Sequence, residues 1–208
     1  MNEKPAPIKT PPLLDAMLHL LDDHVGKDIL ISDLLDKMGE RGFGFTFIVF
    51  GMLAAVLPTG LCSIMSAPIL LFSAQLFAGH SRPSIPQRFN KKQFSADKVQ
   101  ANLLKTRKWL HRMELFAKPR WPMLTGPLIT RLAAFFCFVL ALVILVPGPM
   151  TNLPPGITIA LFGFAMAERD GLLMLVSFVV SIFAFFISMS AITALAILAW
   201  SWLSRFFM

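Results

Sequence analysis

Residues Leu132–Leu145 read LAAFFCFVLALVIL, Val146–Gly156 read VPGPMTNLPPG, and Ile157–Ala167 read ITIALFGFAMA. Four prolines and two glycines thus interrupt one of the most apolar parts of the chain. Proline removes a backbone donor and clashes with the preceding helical turn, while glycine loosens the backbone. The flanking arms are short. Roughly 10 to 15 residues give about 15–22 Å of helix, against a hydrocarbon core about 30 Å thick.

Composition fixes the setting of this stretch. Hydrophobic residues make up 56% and charged residues 15% of the 208-residue chain, against a soluble norm of roughly 45–50% and about 25%. Gly171 to Ser204 contains no Asp, Glu, Lys or Arg, well beyond the roughly 18 apolar residues that suggest a spanning helix. The chain reads as an integral membrane protein. The N-terminal leucines are interrupted by Asp15, His19, Asp22 and Asp23, which argues against a cleavable signal. Cys62 and Cys137 lie in separate apolar segments and read as small buried hydrophobes.

The plan of arm, break and arm occurs twice. Phe43–Ala78 reads FGFTFIVFGMLAAVL, then PTGLCSIMSAP, then ILLFSAQLFA. A gapless shift of 89 residues places Pro58 on Pro147 and keeps both breaks in register. Only Phe47/Phe136, Leu53/Leu142, Pro58/Pro147 and Ala78/Ala167 are identical, so the shared plan carries the internal repeat. In lipid, non-helical backbone is tolerated only where protein or a water-filled cavity surrounds it. Two readings meet that condition. The units are hairpins that dip into the membrane and pack on one another, or they are ordinary spans joined by short external loops. Parallel copies are the default, because region 80–131 offers no extra span. Thr151 and Asn152 are turn-cappers in one case and cavity-facing polar groups in the other.

Outside the apolar units, residues 1–12 form an extended tail with four prolines. Residues 13–40 read as amphipathic helices, with Leu14, Met17, Leu18 and Leu21 on one stripe and Ser32 as N-cap of a second helix. They lie on the protein's own cytoplasmic surface or bind a partner. Between Gly79 and Arg131 twelve basic residues face only Asp97 and Glu114, the signature of a cytoplasmic linker (residues 80–131) near anionic headgroups. Topology and lipid account for the net charge of +7, so nucleic acid is not expected as a partner. Ser95 to Phe116 reads as a basic amphipathic helix, with Trp109 as an interfacial anchor or with its apolar face on the hairpins.

The domains expected are therefore a tail (1–12), amphipathic helices (13–40), a first hairpin (43–79), the basic linker, a second hairpin (132–168) and a long membrane segment (171–204). One helix over Leu172–Leu203 is about 48 Å long. It must tilt, project beyond the bilayer, or fold back near Ser188-Met189-Ser190. Its serines suit close helix packing, within the chain or between two copies.

Charged or polar groups at the apolar segments are the candidates for substrate contact. They are Glu40 and Arg41 before the first unit, Gln75 within it, Asn152 in the second break, and Glu168, Arg169 and Asp170 after the second unit. Each has a structural alternative: an acid complements a helix N-terminus, and a lone amide bonds across helices. His80 sits at the membrane edge. No G-x-S-x-G, H-E-x-x-H, Walker or C-x-x-C motif occurs, and the histidines share no metal-binding spacing. Neither cofactor nor metal is expected, and an enzyme would have to use Glu168 and Asp170 as paired acids.

At these residues the chain resembles the exopolysaccharide synthesis ExoD family of bacterial inner-membrane proteins. The resemblance rests on GERGFGF at Gly39–Phe45, APILLFSAQLFAG at Ala67–Gly79, RMELFAKPRW at Arg112–Trp121 and NLPPGITIALFGFAMAERDGLL at Asn152–Leu173. Together these cover most of residues 32–175 in the family's order. The chain departs from the family at the first turn, Pro58-Thr59-Gly60 with Pro68 later, and at Ser84, where a tryptophan is common. The resemblance implies a part in exopolysaccharide production, with membrane lipids and the synthesis machinery as partners, and tolerance of alkaline conditions. It names a process rather than a reaction. The expectation is an all-α membrane protein that transports a lipid-linked or ionic substrate without catalysis, with a scaffold for a synthesis complex as the alternative.

Overall fold

The computed structural model describes residues 28–30, 41–58, 60–84, 93–95, 121–146 and 151–207. The tail lies outside them, and so do the amphipathic helices expected over 13–40 and from Ser95 to Phe116, apart from Asp28–Leu30 and Ser95. Those two places form the β structure among the described residues: β1 (Asp28–Leu30) pairs antiparallel with β2 (Gln93–Ser95), Asp28 opposite Ser95. The all-α expectation holds for the apolar units and is supplemented by this ribbon.

Five helices carry the rest: α1 (Arg41–Val56), α2 (Leu61–Phe77), α3 (Pro127–Leu145), α4 (Leu153–Glu168) and α5 (Gly171–Phe207), with a 3-10 turn at Pro122–Thr125 before α3. α1 stops before Pro58, which disfavours helical backbone in the residue preceding it. α2 ends in a reverse turn at Gly79 (φ 91), where the His80 N–H donates to the Gln75 carbonyl and the Gly79 N–H to that of Leu76. Pro127 opens α3, and Pro154 and Pro155 occupy the first turn of α4. There the missing N–H costs nothing, because it would have no helical acceptor.

The prolines therefore break less than their number suggests. α2 begins at Leu61 and continues through Pro68, so Pro68 belongs to a helix and not to the first break. Likewise the Leu-Pro-Pro-Gly run belongs to α4 and not to the second. Nor does the last segment fold back: α5 is one unbroken helix, and Ser190 returns its hydroxyl to the Ile187 carbonyl.

α1 and α2 form one hairpin, α3 and α4 the other, and the two interlock. Each helix packs more extensively on a helix of the other hairpin than on its own partner, α1 on α4 and α2 on α3. Both breaks lie at one end, where the Ser63 hydroxyl donates to the Ile144 carbonyl. The chain ends lie together at the other, where Phe77 meets Phe135 at a centroid distance of 6.2 Å and Gly79 abuts Arg131.

The α1–α4 contact runs backbone to backbone. Gly44 and Gly51 are seven residues apart, as are Gly156 and Gly163, and seven residues are close to two helical turns. Each pair therefore lines one face. A methyl group at Gly163 would stand 2.5 Å from the Gly44 carbonyl oxygen and 2.7 Å from the Ile48 nitrogen. One at Gly51 would stand 2.8 Å from both the Gly156 oxygen and the Ala160 nitrogen.

α5 lies mainly along α4. Its buried face is Met174, Ser177, Ser181, Ala184 and Ser188, alternating steps of three and four. Phe178 joins it to the core, edge to face with Phe136 at 5.2 Å and Phe162 at 5.1 Å. Beyond Ser188 no described residue is buried. At the near end Asp170, itself buried, caps α5. Its Oδ1 accepts from the N–H groups of Leu172 (3.0 Å) and Leu173 (3.1 Å), which the helix leaves unpaired.

Two outcomes test this packing. Gly163→Ala should destabilise the detergent-solubilised protein by roughly 1–3 kcal/mol through overpacking, although alanine is favoured over glycine in an open helix by about 0.5–1 kcal/mol. A thermal melt reads the difference, with Ile157→Ala, on the exposed side of α4, as the neutral control. Asp170→Ala should cost about 1 kcal/mol in the same melt and Asp170→Asn much less, as for an N-cap.

Candidate functional site

The sequence candidates separate to opposite ends of the hairpins. α1 and α4 run antiparallel, with Gly44 against Gly163 and Ala167. Arg41, at the start of α1, therefore comes to the same end as Glu168 and Arg169, where α4 stops. Arg169 leaves the helix in the left-handed conformation (φ 52), unusual outside glycine, asparagine and aspartate. The α2–α3 pairing brings His80 and Arg131 to this end as well.

Between them lies an open cavity of about 260 Å³. Arg41, Arg131, Arg169 and His80 contribute its charged or titratable lining, Ser81, Thr125 and Thr130 further polar groups, and Phe43, Leu76 and Met166 the apolar part. No carboxylate is among the described lining residues. Three guanidinium groups around a concave, partly apolar wall make a field that concentrates anions. The fork of N–H donors on each suits carboxylate or phosphate oxygens. Gly79 shapes the wall: a methyl group there would stand 2.6 Å from the Arg131 Nη2.

The acidic neighbours are placed differently. Asp170 turns one carboxylate oxygen onto the start of α5, and Glu168, half-buried, is the last residue of α4. Neither lines the cavity. Gln75 belongs to this end but makes neither a helix–helix bond nor a cavity contact. Its Nε2 donates to the Ser84 carbonyl (2.7 Å), and its Oε1 accepts from the Ser84 N–H (2.8 Å). It pins the segment leaving α2. Glu40 lies outside the described residues.

Asn152 is about 24 Å away, at the other end of the 16-residue α4. It occupies the N-cap position without capping. Its buried amide instead donates to the Cys62 sulfur, Thr151 donates to the Asn152 Oδ1 at 3.3 Å, and Ser188 donates to the Thr151 carbonyl at 2.8 Å. This cluster ties both breaks and α5 together. Cys62 and Cys137 are both buried and free, as small core residues. In the sequence Arg131 is one of the twelve basic residues between Gly79 and Arg131. What gives it a place in the cavity is the glycine opposite, which no local pattern marks.

Comparison with known proteins adds a process. The chain is 26% identical over 151 residues to the uncharacterized protein slr1875 of Synechocystis sp., covering 71% of each chain. It is 24% identical over 168 residues to the protein ExoD of Rhizobium meliloti, covering 78% of this chain and 70% of that one. No solved structure matches. The family described as "Exopolysaccharide synthesis, ExoD" matches residues 13–190, which takes in both hairpins, the cavity and α5 as far as the cluster at Ser188. This membrane protein belongs to the exopolysaccharide synthesis ExoD family.

Proposed function

We propose that the chain is a multi-pass inner-membrane protein that moves a lipid-linked or ionic substrate of exopolysaccharide production along its interlocked hairpins, without a catalytic step of its own. The basic linker faces the cytoplasm, and the cavity between Arg41, Arg131 and Arg169 is where the substrate is first held.

One observation carries this reading: the second hairpin break, beside which the first lies, packs against the middle of α5, not its end. The uncharged run Gly171–Trp202 is 32 residues, about 48 Å of helix. At a tilt of about 20° it covers roughly 45 Å, the full thickness of a bilayer with its headgroups. The arginines of the cavity then lie in one headgroup layer, and Trp200, Trp202 and Arg205 in the other. Ser188, and with it Thr151, comes about 26 Å along α5, just past the midplane. The hairpins enter from the basic side, turn inside the membrane and return, as in re-entrant units that serve transport. Placing the breaks in the periplasm would leave the exposed Ile197, Leu198, Trp200 and Trp202 in water.

The shared plan of the hairpins fits an internal repeat of parallel copies. α1 on α4 and α3 on α2 exchange under a two-fold relation between the hairpins.

In a Cys62→Ala, Cys137→Ala background, single cysteines at Ser63 and Thr151 should resist a membrane-impermeant thiol reagent added from the periplasm. Modification from that side would make the breaks external loops and overturn the re-entrant path. In cells, Arg169→Gln should lower exopolysaccharide yield by about tenfold, the scale of one lost charged hydrogen bond, with an unchanged amount of protein in the membrane. Removing residues 1–27 should leave the yield intact. The reverse pattern would identify a scaffold that docks its partners through the N-terminal segment.

A further inference from the structure

We infer that the cavity at the base of the hairpins binds the phosphomonoester headgroup of a membrane lipid, with Arg131 as its principal anchor. This rests on the proposed function only in placing the cavity in a headgroup layer.

The charge of the site points to phosphate. Arg41 approaches from the start of α1, Arg131 from α3, and Arg169 from the corner between α4 and α5. A carboxylate offers one unit of charge and two coplanar oxygens. A phosphomonoester offers about −1.5 to −2 near neutral pH and three acceptor oxygens set tetrahedrally, suited to donors arriving from three directions. Arg41 and Arg169 are also engaged with other groups. The Arg131 guanidinium has no hydrogen-bonded partner among the described residues and lies against Gly79. A side chain at position 79 would occupy its place.

The size and the apolar wall point to a lipid. At about 260 Å³ the cavity is below the roughly 300–1,000 Å³ usual for drug-sized ligands. It suits a headgroup and is small for a whole sugar nucleotide. Phe43, Leu76 and Met166 provide an apolar side for the first carbons attached to the phosphate.

The test uses the full chain in phosphatidylcholine nanodiscs doped with phosphatidic acid, a phosphomonoester, or with phosphatidylglycerol, a phosphodiester, and counts retained lipids by native mass spectrometry. Phosphatidic acid should be retained in preference, and inorganic phosphate should displace it. Arg131→Gln should weaken its retention about tenfold or more, as for loss of a hydrogen bond to a charged group. Arg131→Lys should fall between, because it keeps the charge and loses the fork. Arg205→Gln, at the far end of α5, should change nothing. Arg131→Lys keeps the charge and touches no strained backbone, so its intermediate retention supports the assignment even if Arg131→Gln folds poorly. Gly79→Ala crowds the guanidinium while also straining the turn at φ 91, and is read beside its own thermal melt. Equal retention of the two anionic lipids, or no effect of either Arg131→Gln or Gly79→Ala, overturns it. Binding of inorganic phosphate without lipid preference would assign the cavity to a soluble phosphate and overturn the lipid. Periplasmic labelling of the hairpin breaks would remove the re-entrant path and leave this binding result standing.

Discussion

The seam between α1 and α4 holds the other elements in place. Lipid tails are as apolar as leucine, so helices in a membrane gain little by hiding apolar side chains from lipid. Close contact has to supply the attraction. Four glycines provide it by bringing two backbones together where a single methyl would collide with main-chain atoms. Because α1 belongs to one hairpin and α4 to the other, the seam also locks the hairpins together. Its register carries further still: with Gly44 opposite Gly163 and Ala167, the first residue of α1 arrives beside the last residues of α4. The juxtaposition of Arg41 and Arg169 follows from the glycine spacing.

Much of the architecture was legible without coordinates. The apolar arms announced the helices of both hairpins, because uninterrupted apolar sequence of that length has few other solutions. The extent of the breaks was less legible. Pro68 reads as a helix stop in isolation, yet α2 runs through it. In lipid, interrupting a helix exposes more backbone than the one bond a proline removes. Pro154 and Pro155 also read as breakers, although a helix's first turn tolerates them. The glycine seam went unread because each pair looks ordinary alone. Their meaning comes from opposition across more than a hundred residues of chain.

The candidate site was legible only in pieces. Charges flanking apolar segments select Arg41 and Arg169, which line the cavity, but the same rule selects Asp170, whose carboxylate holds the start of α5, and Gln75, whose amide holds Ser84. A polar residue at a membrane edge has two uses, securing the backbone and meeting a ligand. Sequence position does not distinguish them. Arg131 shows the converse: one cation among many in a basic stretch, singled out only by a bare glycine facing it from α2's reverse turn.

The packed face of α5 stops at Ser188, while the helix runs on to Phe207. On the re-entrant path proposed above, one leaflet accommodates five helices and the other a single one. A helix with side chains is about 10 Å across, so the two leaflets differ in occupied area by on the order of 300 Å². The molecule proposed is then a wedge. Lipids of the opposite leaflet must splay beneath the hairpin breaks to fill the space, which lowers the bending cost wherever the membrane already curves toward the broad side. Crowding such wedges at one place would deform the bilayer locally, a mechanical effect that needs neither a substrate nor a partner.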